Sequence, residues 1–295
     1  MSDILVAGLA TIDVVFNVNT LPTRPEKYAA DDAAMVGGGG AANAAVALAR
    51  LGAQPLLLSR VGGDAFAPII IRDLAEQGVD CSLVTQTHNA RSSFSSVLVD
   101  VGGERQIVNF RGIDLAQDPP SLNELKVSAV LCDTRWTAAS AAALQLAQHL
   151  GVPGVLDAEA PVSTELVRLA SHVAFSAQGL RSYTNESRLP DALLQVSRAT
   201  NAFVCVTDGA NGVLVVTDNQ VAELPVYTID AVDTLGAGDV WHAAFTYKLA
   251  ARSNEYEAIS FANMAAAIKC MRSGGGRMSP TLAEVQQFKQ QRGEH

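Results

Sequence analysis

The chain has 295 residues, of which 48% are hydrophobic and 17% are charged, so it can bury a large core in one or two domains. Its 21 basic and 30 acidic side chains give a formal charge of −9, and like charges do not cluster in blocks. This balance argues against nucleic acid or an anionic membrane surface as a partner.

The sequence carries no signal for export or for membrane insertion. No basic segment precedes the first apolar stretch, and no apolar run approaches the length of a membrane span. The cysteines are far apart, lack C-x-x-C spacing, and each lies in or beside an apolar run: Cys81, Cys132, Cys205 and Cys270. We therefore expect buried, reduced thiols and a cytoplasmic protein.

Short apolar strands alternate with helical patterns along most of the chain. Strands are predicted at Ile4–Leu9, Pro55–Ser59, Ala129–Cys132, Gly154–Leu156, His172–Phe175 and Phe203–Thr207. Helices are predicted at Ala41–Leu51, Phe66–Gln77, Ala138–Leu150, Leu189–Ala199, Val240–Ala251 and Glu255–Met271. This order indicates an α/β fold, with a mostly parallel central sheet and helices on both faces. Ligands of such folds bind beyond the carboxyl ends of the strands.

Two segments, 10–36 and 91–111, interrupt the alternation. In the second, Ser93–Asp100 and Arg105–Phe110 flank Gly102 and Gly103, which predicts a β-hairpin. We expect both segments to form a small β-sheet lid, and a homodimer to form through it because exposed strand edges favour pairing. The remaining residues, 1–9, 37–90 and 112–295, then form the α/β domain.

The first glycine-rich motif, Gly37–Gly40, opens an alanine-rich helix. Consecutive glycines allow a polyol to lie against bare backbone, and Asn43 offers both a donor and an acceptor to it. A dinucleotide-binding loop is the competing interpretation, but such a loop follows the first strand, which here ends at Ala10-Thr11 without a glycine run. Just beyond that strand, the Asp13 carboxylate could accept hydrogen bonds from two vicinal hydroxyls or form a local turn.

The second motif, Asp233–Asp239, reads Asp-Thr-Leu-Gly-Ala-Gly-Asp and leads directly into a helix. Main-chain N–H groups and the positive helix end should converge at Gly236–Gly238, where an anion would bind. Asp239, in the first helical turn, could take the proton from an attacking hydroxyl in phosphoryl transfer. A Gly-x-Gly turn that only caps a helix is the structural alternative.

Together these motifs resemble the signatures of the ribokinase-like, or pfkB-type, carbohydrate kinases. The resemblance implies an ATP-dependent sugar kinase with Asp239 as catalytic base and with Gly236, Ala237 and Gly238 as anion hole. It implies sugar contacts at Asp13, Gly38, Gly39 and Asn43. It implies nucleotide contacts at Thr207, Gly209, Gly212, Asn263 and Gly275. A plain hairpin turn into Val213–Thr217 accounts for the glycines at 209 and 212 equally well.

The resemblance also implies Mg²⁺, but its usual motif is missing. Relatives often carry Asn-x-x-Glu before a helix in mid-chain, and Phe175–Leu180 has neither residue. Asp157 and Glu159, at a predicted strand end, could act on the metal through water. Solvent-facing carboxylates are the alternative reading of this pair.

Three further residues, Lys27, Asn109 and Arg135, could line the sugar pocket. Two cations and an amide suit an acceptor that has its own anionic end. With Val173–Ser176 and Ile268–Cys270, they resemble the branch of the family that phosphorylates 6-deoxy-6-sulfofructose at its 1-hydroxyl. That resemblance covers nearly the whole chain and implies that Lys27, Asn109 and Arg135 hold the sulfonate.

Other acceptors and another class of protein remain open at this point. Gly40 stands where the sulfofructose-specific branch has proline, and Lys27 could be a solvated charge while Arg135 pairs with a helix end. An acceptor such as fructose, fructose 6-phosphate or a nucleoside fits the shared motifs as well. A sensor without catalysis is supported only by the missing Asn-x-x-Glu.

Overall fold

Strands and helices alternate as predicted through residues 3–293, the part of the chain that the computed structural model describes. The strands are β1 (Asp3–Ala7), β2 (Thr11–Val18), β3 (Asp32–Gly38), β4 (Gln54–Gly62), β5 (Val84–Thr87), β6 (Phe94–Asp100), β7 (Arg105–Phe110), β8 (Ala129–Cys132), β9 (Gly154–Ala158), β10 (His172–Ser176), β11 (Phe203–Thr207), β12 (Val213–Thr217) and β13 (Gln220–Leu224). The helices are α1 (Gly40–Arg50), α2 (Phe66–Glu76), α3 (Thr137–Leu150), α4 (Thr164–Leu169), α5 (Ala177–Thr184), α6 (Leu189–Ala199), α7 (Ala237–Ala250), α8 (Glu255–Cys270) and α9 (Leu282–Gln291).

Nine strands form the central sheet in the order β13-β12-β11-β10-β9-β8-β1-β4-β5. All neighbours from β11 through β5 are parallel, and the β11-β12-β13 edge is antiparallel. Because alternate side chains of a strand point to opposite faces, Ile4 and Val6 enter one core while Leu5 and Ala7 enter the other. Helices α1, α2 and α7–α9 pack on the first face, and α3–α6 pack on the second. The predicted α/β architecture is confirmed.

A separate four-stranded sheet has the order β3-β2-β6-β7. It contains the predicted hairpin, β6 and β7, and joins β2 to β6 in parallel. Strand β3 extends to Gly38, so this small sheet continues directly into the start of α1. The first glycine motif therefore lies at the junction of the two sheets.

Several short elements were not predicted from the sequence: β5, β13, α4, α5 and α9. Each is short or mostly polar, so its hydrophobic period spans too few residues to stand out. Helix α7 begins at Ala237, three residues before the predicted start at Val240. Asp239 lies in the first turn of this helix, as the motif predicts.

Candidate active site

The second glycine motif forms the turn that leads into α7. Gly236 is the N-cap residue of this helix and has a φ of +76°, a conformation that glycine adopts without strain. Val240 donates the first intrahelical hydrogen bond, to the Gly236 carbonyl at 3.1 Å. Gly238 and Asp239 come before Val240 in the helix, so their N–H groups have no intrahelical acceptor, as in the first turn of any helix. The local geometry is that of an anion-binding helix start.

The side chain of Asp239 meets the first glycine motif at Asn43. Asn43 Nδ2 donates a hydrogen bond of 2.7 Å to Asp239 Oδ2. The Asn43 Oδ1 atom is buried and accepts no hydrogen bond from any residue between 3 and 293. A Cβ added at Gly40 would lie 3.4 Å from Asp239 Oδ1. The two motifs, almost 200 residues apart in sequence, therefore converge on one carboxylate.

The surroundings of Asp239 raise its pKa from 3.8 to about 7. Burial is the largest cause, and the Asp157 carboxylate adds to it, whereas the hydrogen bond from Asn43 acts in the opposite direction. A carboxyl group with a pKa near neutrality can accept a proton from a hydroxyl and release it again. Perturbed groups of this kind are common at catalytic sites.

Asp157 and Glu159 lie at the end of β9, close to Asp239. Burial, Glu159 and Asp133 raise the pKa of Asp157 well above its usual value. Glu159, whose side chain is 61% exposed, forms an ion pair of 2.5 Å with Arg135. Arg135 also donates to the Ala160 carbonyl at 2.9 Å. This edge of the site thus has more carboxyl groups than basic side chains.

His242, which sequence reasoning missed, connects α7 to the central sheet. Its Nδ1 lies 2.7 Å from the Gly238 carbonyl and 3.4 Å from Asp157 Oδ2. Its Nε2 lies 3.2 Å from the Ala174 carbonyl. Burial lowers the pKa of His242, whereas the Gly238 and Ala174 carbonyls and the Asp239 carboxylate act in the opposite direction. The only signal in the sequence was a histidine one turn after Asp239.

Asp133, also missed, borders the site beside the first glycine motif. Its Oδ2 accepts hydrogen bonds from the N–H groups of Leu9, at 2.8 Å, and Ala41, at 3.2 Å. These bonds join the ends of β8 and β1 to the start of α1. Asp133 directly follows strand β8, which is the position in a parallel sheet where polar residues reach the ligand site.

Asp13 and Asn109 lie on the same face of the small sheet. Asp13 pairs in register with Ser95, and Ser95 pairs in register with Asn109. Ser95 Oγ donates to Asn109 Oδ1 at 2.8 Å. Burial raises the pKa of Asp13, while Ser95 and Arg277 lower it. A Cβ added at Gly38 would lie 2.4 Å from Asp13 Oδ2, so this carboxylate faces the glycine run.

The remaining predicted sugar-site residues differ in their surroundings. Gly39 is the N-cap residue of α1, and a Cβ there would lie 2.4 Å from the Leu9 carbonyl oxygen. Lys27 is exposed in the loop between β2 and β3. Arg135 is turned toward Glu159, as described above.

The predicted nucleotide residues occupy three places. Thr207 ends β11, and Gly209 and Gly212 bound the turn that follows. Asn263, on α8, borders a cavity of about 350 Å³ that Tyr227 and Tyr256 also line. The Asn263 amide itself accepts from Trp241 Nε1 at 2.8 Å and donates to the Pro225 carbonyl at 3.1 Å.

Gly275 lies elsewhere, beside the second glycine motif. Its N–H donates to Asp233 Oδ2 at 2.9 Å. A Cβ added at Gly236 would lie 2.5 Å from the Cα atom of Gly276. The loop 274–276 therefore supports the turn before α7 directly.

No helix in the described part of the chain is long and apolar enough to span a membrane.

Residues 1–282 match the model of the pfkB family of carbohydrate kinases. A ribokinase from Staphylococcus aureus is 26% identical over 96% of this chain and 98% of its own. An ATP-dependent ribose-1-phosphate kinase from Halopiger xanaduensis is 29% identical over 99% of both chains.

Among solved structures, that of a candidate ribokinase from Agrobacterium tumefaciens has a TM-score of 0.90 and 30% identity, covering 100% of this chain and 99% of its own. The match thus extends over both sheets and over the two glycine motifs that meet at Asp239. The chain belongs to the pfkB family of carbohydrate kinases.

Proposed function

We propose that the protein transfers the γ-phosphoryl group of ATP to a sugar hydroxyl, with Asp239 as the base. The observation that carries this proposal is the meeting of Asp239, Asn43 and the start of α7 at one point. Asp239 takes the hydroxyl proton, and the amides of Gly236–Gly238 stabilise the charge that develops on the transferred group. The free Asn43 Oδ1 accepts a hydrogen bond from the sugar.

The small sheet acts as the lid of this site. Asp13 holds sugar hydroxyls from the lid face, and Gly38 and Gly39 let the sugar approach the backbone. A closed lid keeps out the water that would otherwise hydrolyse ATP.

The four cysteines are all free thiols, which supports a cytoplasmic location.

In this proposal, ATP lies along the antiparallel edge of the central sheet. Thr207, Gly209 and Gly212 lie beside the phosphates and ribose, and Gly275 supports the anion hole from behind. The cavity next to Asn263 offers two tyrosine rings for an adenine base. Because both polar groups of the Asn263 amide are already bonded, this residue shapes the cavity wall.

The acidic edge of the site fits Mg²⁺ held by nucleotide oxygens and water. Within residues 3–293, no three acidic, histidine or cysteine side chains are arranged to bind a metal ion by themselves. Burial and the nearby carboxylates of Glu159 and Asp133 raise the pKa of Asp157, although Arg135 acts in the opposite direction. A cation beside Asp157 would favour its ionised form. Asp157 and Glu159 would contact the metal through water. The bound ion supplies charge neutralisation on the phosphoryl oxygens.

For the acceptor we propose an anionic ketose, 6-deoxy-6-sulfofructose, phosphorylated at its 1-hydroxyl. Lys27, Asn109 and Arg135 supply the two cations and the amide that a sulfonate would need. The Halopiger xanaduensis relative is named for a phosphorylated sugar, so an anionic acceptor has a precedent among similar proteins. Arg135 must then exchange its bond with Glu159 for one with the sulfonate.

An acceptor comparison tests this assignment. We expect Arg135→Ala to raise KM for sulfofructose by about 10- to 100-fold, since a hydrogen bond to a charged group contributes about 1.5–3 kcal/mol. KM for fructose should change by less than about twofold, because fructose has no anionic end. Initial rates of ADP release with both sugars give these values.

Glu159→Gln is the matched control. This variant breaks the ion pair but keeps the Arg135 charge, so KM for sulfofructose should stay unchanged or fall. Because Glu159 is also a proposed metal contact, the comparison uses this KM and not kcat. Equal losses for both sugars in Arg135→Ala would contradict an anion-binding role.

An uncharged pentose is the second candidate acceptor. The ion pair between Arg135 and Glu159 favours it, because this pair leaves no net charge at that position. The name of the Staphylococcus aureus relative points the same way. Higher kcat/KM for ribose than for sulfofructose, fructose 6-phosphate or a nucleoside would establish this alternative. ADP release that depends on any sugar excludes a sensor without catalysis.

A homodimer through the lid is also proposed. Met35, Val14, Ser96 and Val108 form one row across β3, β2, β6 and β7, on the face opposite Asp13. Met35 is 50% exposed and Val108 is 65% exposed, so this row presents an apolar surface to a partner.

Light scattering is expected to give twice the 30.9 kDa chain mass. Val108→Glu should shift the protein to monomer, because a charge would be buried without a partner. Val101→Glu, in the nearby hairpin turn and 83% exposed, should leave the dimer intact. A wild-type monomer at micromolar concentration would rule out this assembly.

A further inference from the structure

A buried ammonium group lies behind the turn that carries the glycine amides. Lys269, on α8, has a solvent exposure of 0%. Its Nζ donates to the main-chain carbonyl of Asp233 at 2.6 Å and lies 3.4 Å from Asp233 Oδ2. A charge removed from water is costly unless it is paired and hydrogen-bonded. Both contacts of Lys269 are with the first residue of the second glycine motif.

The Asp233 carboxylate in turn organises two loops. Its Oδ1 accepts from the Leu235 N–H at 2.9 Å, which closes the turn toward Gly236. Its Oδ2 accepts from the N–H groups of Gly274, at 3.1 Å, and Gly275, at 2.9 Å. These bonds hold the motif and the loop 274–276 together.

Asp233 remains ionised under all ordinary conditions. Burial raises its pKa, but the hydrogen bonds from Gly275 and Leu235, with Lys269 and Arg105, outweigh burial and lower the pKa to about 2. Arg105, on β7 of the lid, forms a 2.6 Å ion pair with Asp233 Oδ1. Two cations thus meet one carboxylate, and only Lys269 is part of the central domain core.

The loop that Asp233 holds is in direct contact with the anion-binding turn. Gly276 packs so closely on Gly236 that no side chain fits between them. A shift of Asp233 would therefore displace the Gly236 backbone in two ways. It would act through Leu235 within the turn, and through the loop 274–276 that packs on the turn. Misplacement of a catalytic group by 1 Å can cost about 100-fold in rate.

We propose that Lys269 is a positioning residue for phosphoryl transfer. Its ammonium, held by the carbonyl and the carboxylate of Asp233, fixes the turn that presents the Gly236–Gly238 amides to the transferred group. The inference rests on the proposed kinase function. Lys269 touches neither substrate; it acts only through Asp233.

The test is Lys269→Met, which keeps the length of the side chain and removes the charge. We expect kcat to fall by about 10- to 100-fold, because the amides no longer match the transition state. KM for ATP and for the sugar should stay within about threefold, since the ground-state contacts lie elsewhere. A purely structural ion pair would lower thermal stability and leave kcat of the folded enzyme unchanged.

Lys248→Met is the matched control. Lys248, on α7, lies over the Phe261 ring at 5.6 Å and makes no contact with Asp233. The same substitution there should leave kcat and both KM values unchanged. If Lys269→Met does not fold, Asp233→Asn decides, because asparagine keeps an acceptor for the loop amides and loses the charge that faces Lys269.

The two proposals fail in different ways. If the wild-type protein phosphorylates no sugar, the proposed function is wrong. If it is active and folded Lys269→Met, or Asp233→Asn in its place, retains kcat within twofold, the positioning role of Lys269 is wrong. A loss confined to KM would also overturn it.

Discussion

Asp239→Asn is expected to lower kcat by about 100- to 10,000-fold, the usual cost of losing a general base. Asparagine still accepts the hydrogen bond from Asn43 Nδ2, so the geometry of the cleft should survive the change. Sugar and ATP should bind with affinities within a few-fold of wild type. Coupled measurement of ADP release gives kcat, and calorimetric titration gives the affinities.

Asp230→Asn provides the control, because Asp230 is exposed and precedes the motif. It should have wild-type turnover. If Asp239→Asn also kept near-normal turnover while binding sugar, Asp239 would not be the base. In wild type, kcat should rise with pH through about 7, the pKa of Asp239, and this dependence should vanish in the variant.

The same variant should be more stable than wild type above neutral pH. The folded-state pKa of Asp239 is raised from 3.8 to about 7, so folding favours the protonated form. The stabilisation from that proton is complete below pH 3.8 and is lost as pH rises through 7. At pH 8, Asp239→Asn should therefore gain on the order of 1–3 kcal/mol in free energy of unfolding. Equal urea midpoints for wild type and Asp239→Asn at pH 8 would show that the buried carboxylate does not destabilise the folded protein.

The sequence was sufficient for the features that local pattern determines. Strands such as Ala129–Cys132 and Phe203–Thr207 match their predicted bounds because their apolar runs end abruptly in polar or glycine residues. Asp239 could be selected because its motif combines a glycine turn, a helix start and a carboxylate within seven residues. Asn43 could be selected for the same reason in the first motif.

Residues whose importance depends on distant partners could not be identified in this way. Asp133, His242 and Lys269 each contact segments far along the chain, and their own neighbourhood gives at most a weak signal, such as the position of His242 one turn after Asp239. Lys269 sits in an apolar helical run, where a lysine reads as a solvent-facing residue. Only the packing of α8 against the turn at Asp233 shows that its ammonium is buried.

The ion pairing of charged residues was the second feature that the sequence could not predict. Arg135 looks like a free cation in the sequence, and Lys27 looks equivalent to it. In the fold, Arg135 is paired with Glu159 while Lys27 is exposed. Because Arg135 and Glu159 follow different strands and meet only in the fold, the charge available to an acceptor cannot be inferred from the sequence.

Gly236→Ala is expected to lower kcat by about 100- to 1,000-fold, comparable to the loss of an oxyanion-hole donor. Gly236 has a φ of +76°, and an added Cβ would lie 2.5 Å from the Cα atom of Gly276. The backbone must shift to relieve this clash, which moves the amides that face the transferred phosphoryl group. Sugar affinity should change little, since Asp13 and Asn109 lie on the small sheet and not in this turn.

Gly52→Ala separates this effect from simple backbone strain. Gly52 has a φ of +92°, follows α1, and has no atom within 4 Å of an added Cβ. Both variants pay the left-handed penalty of roughly 1–2 kcal/mol, which thermal unfolding would detect. Only Gly236→Ala should lose turnover, because only there does the new methyl group displace the turn before α7. Equal kcat values in the two variants would mean that the Gly236–Gly238 amides do not stabilise the transition state.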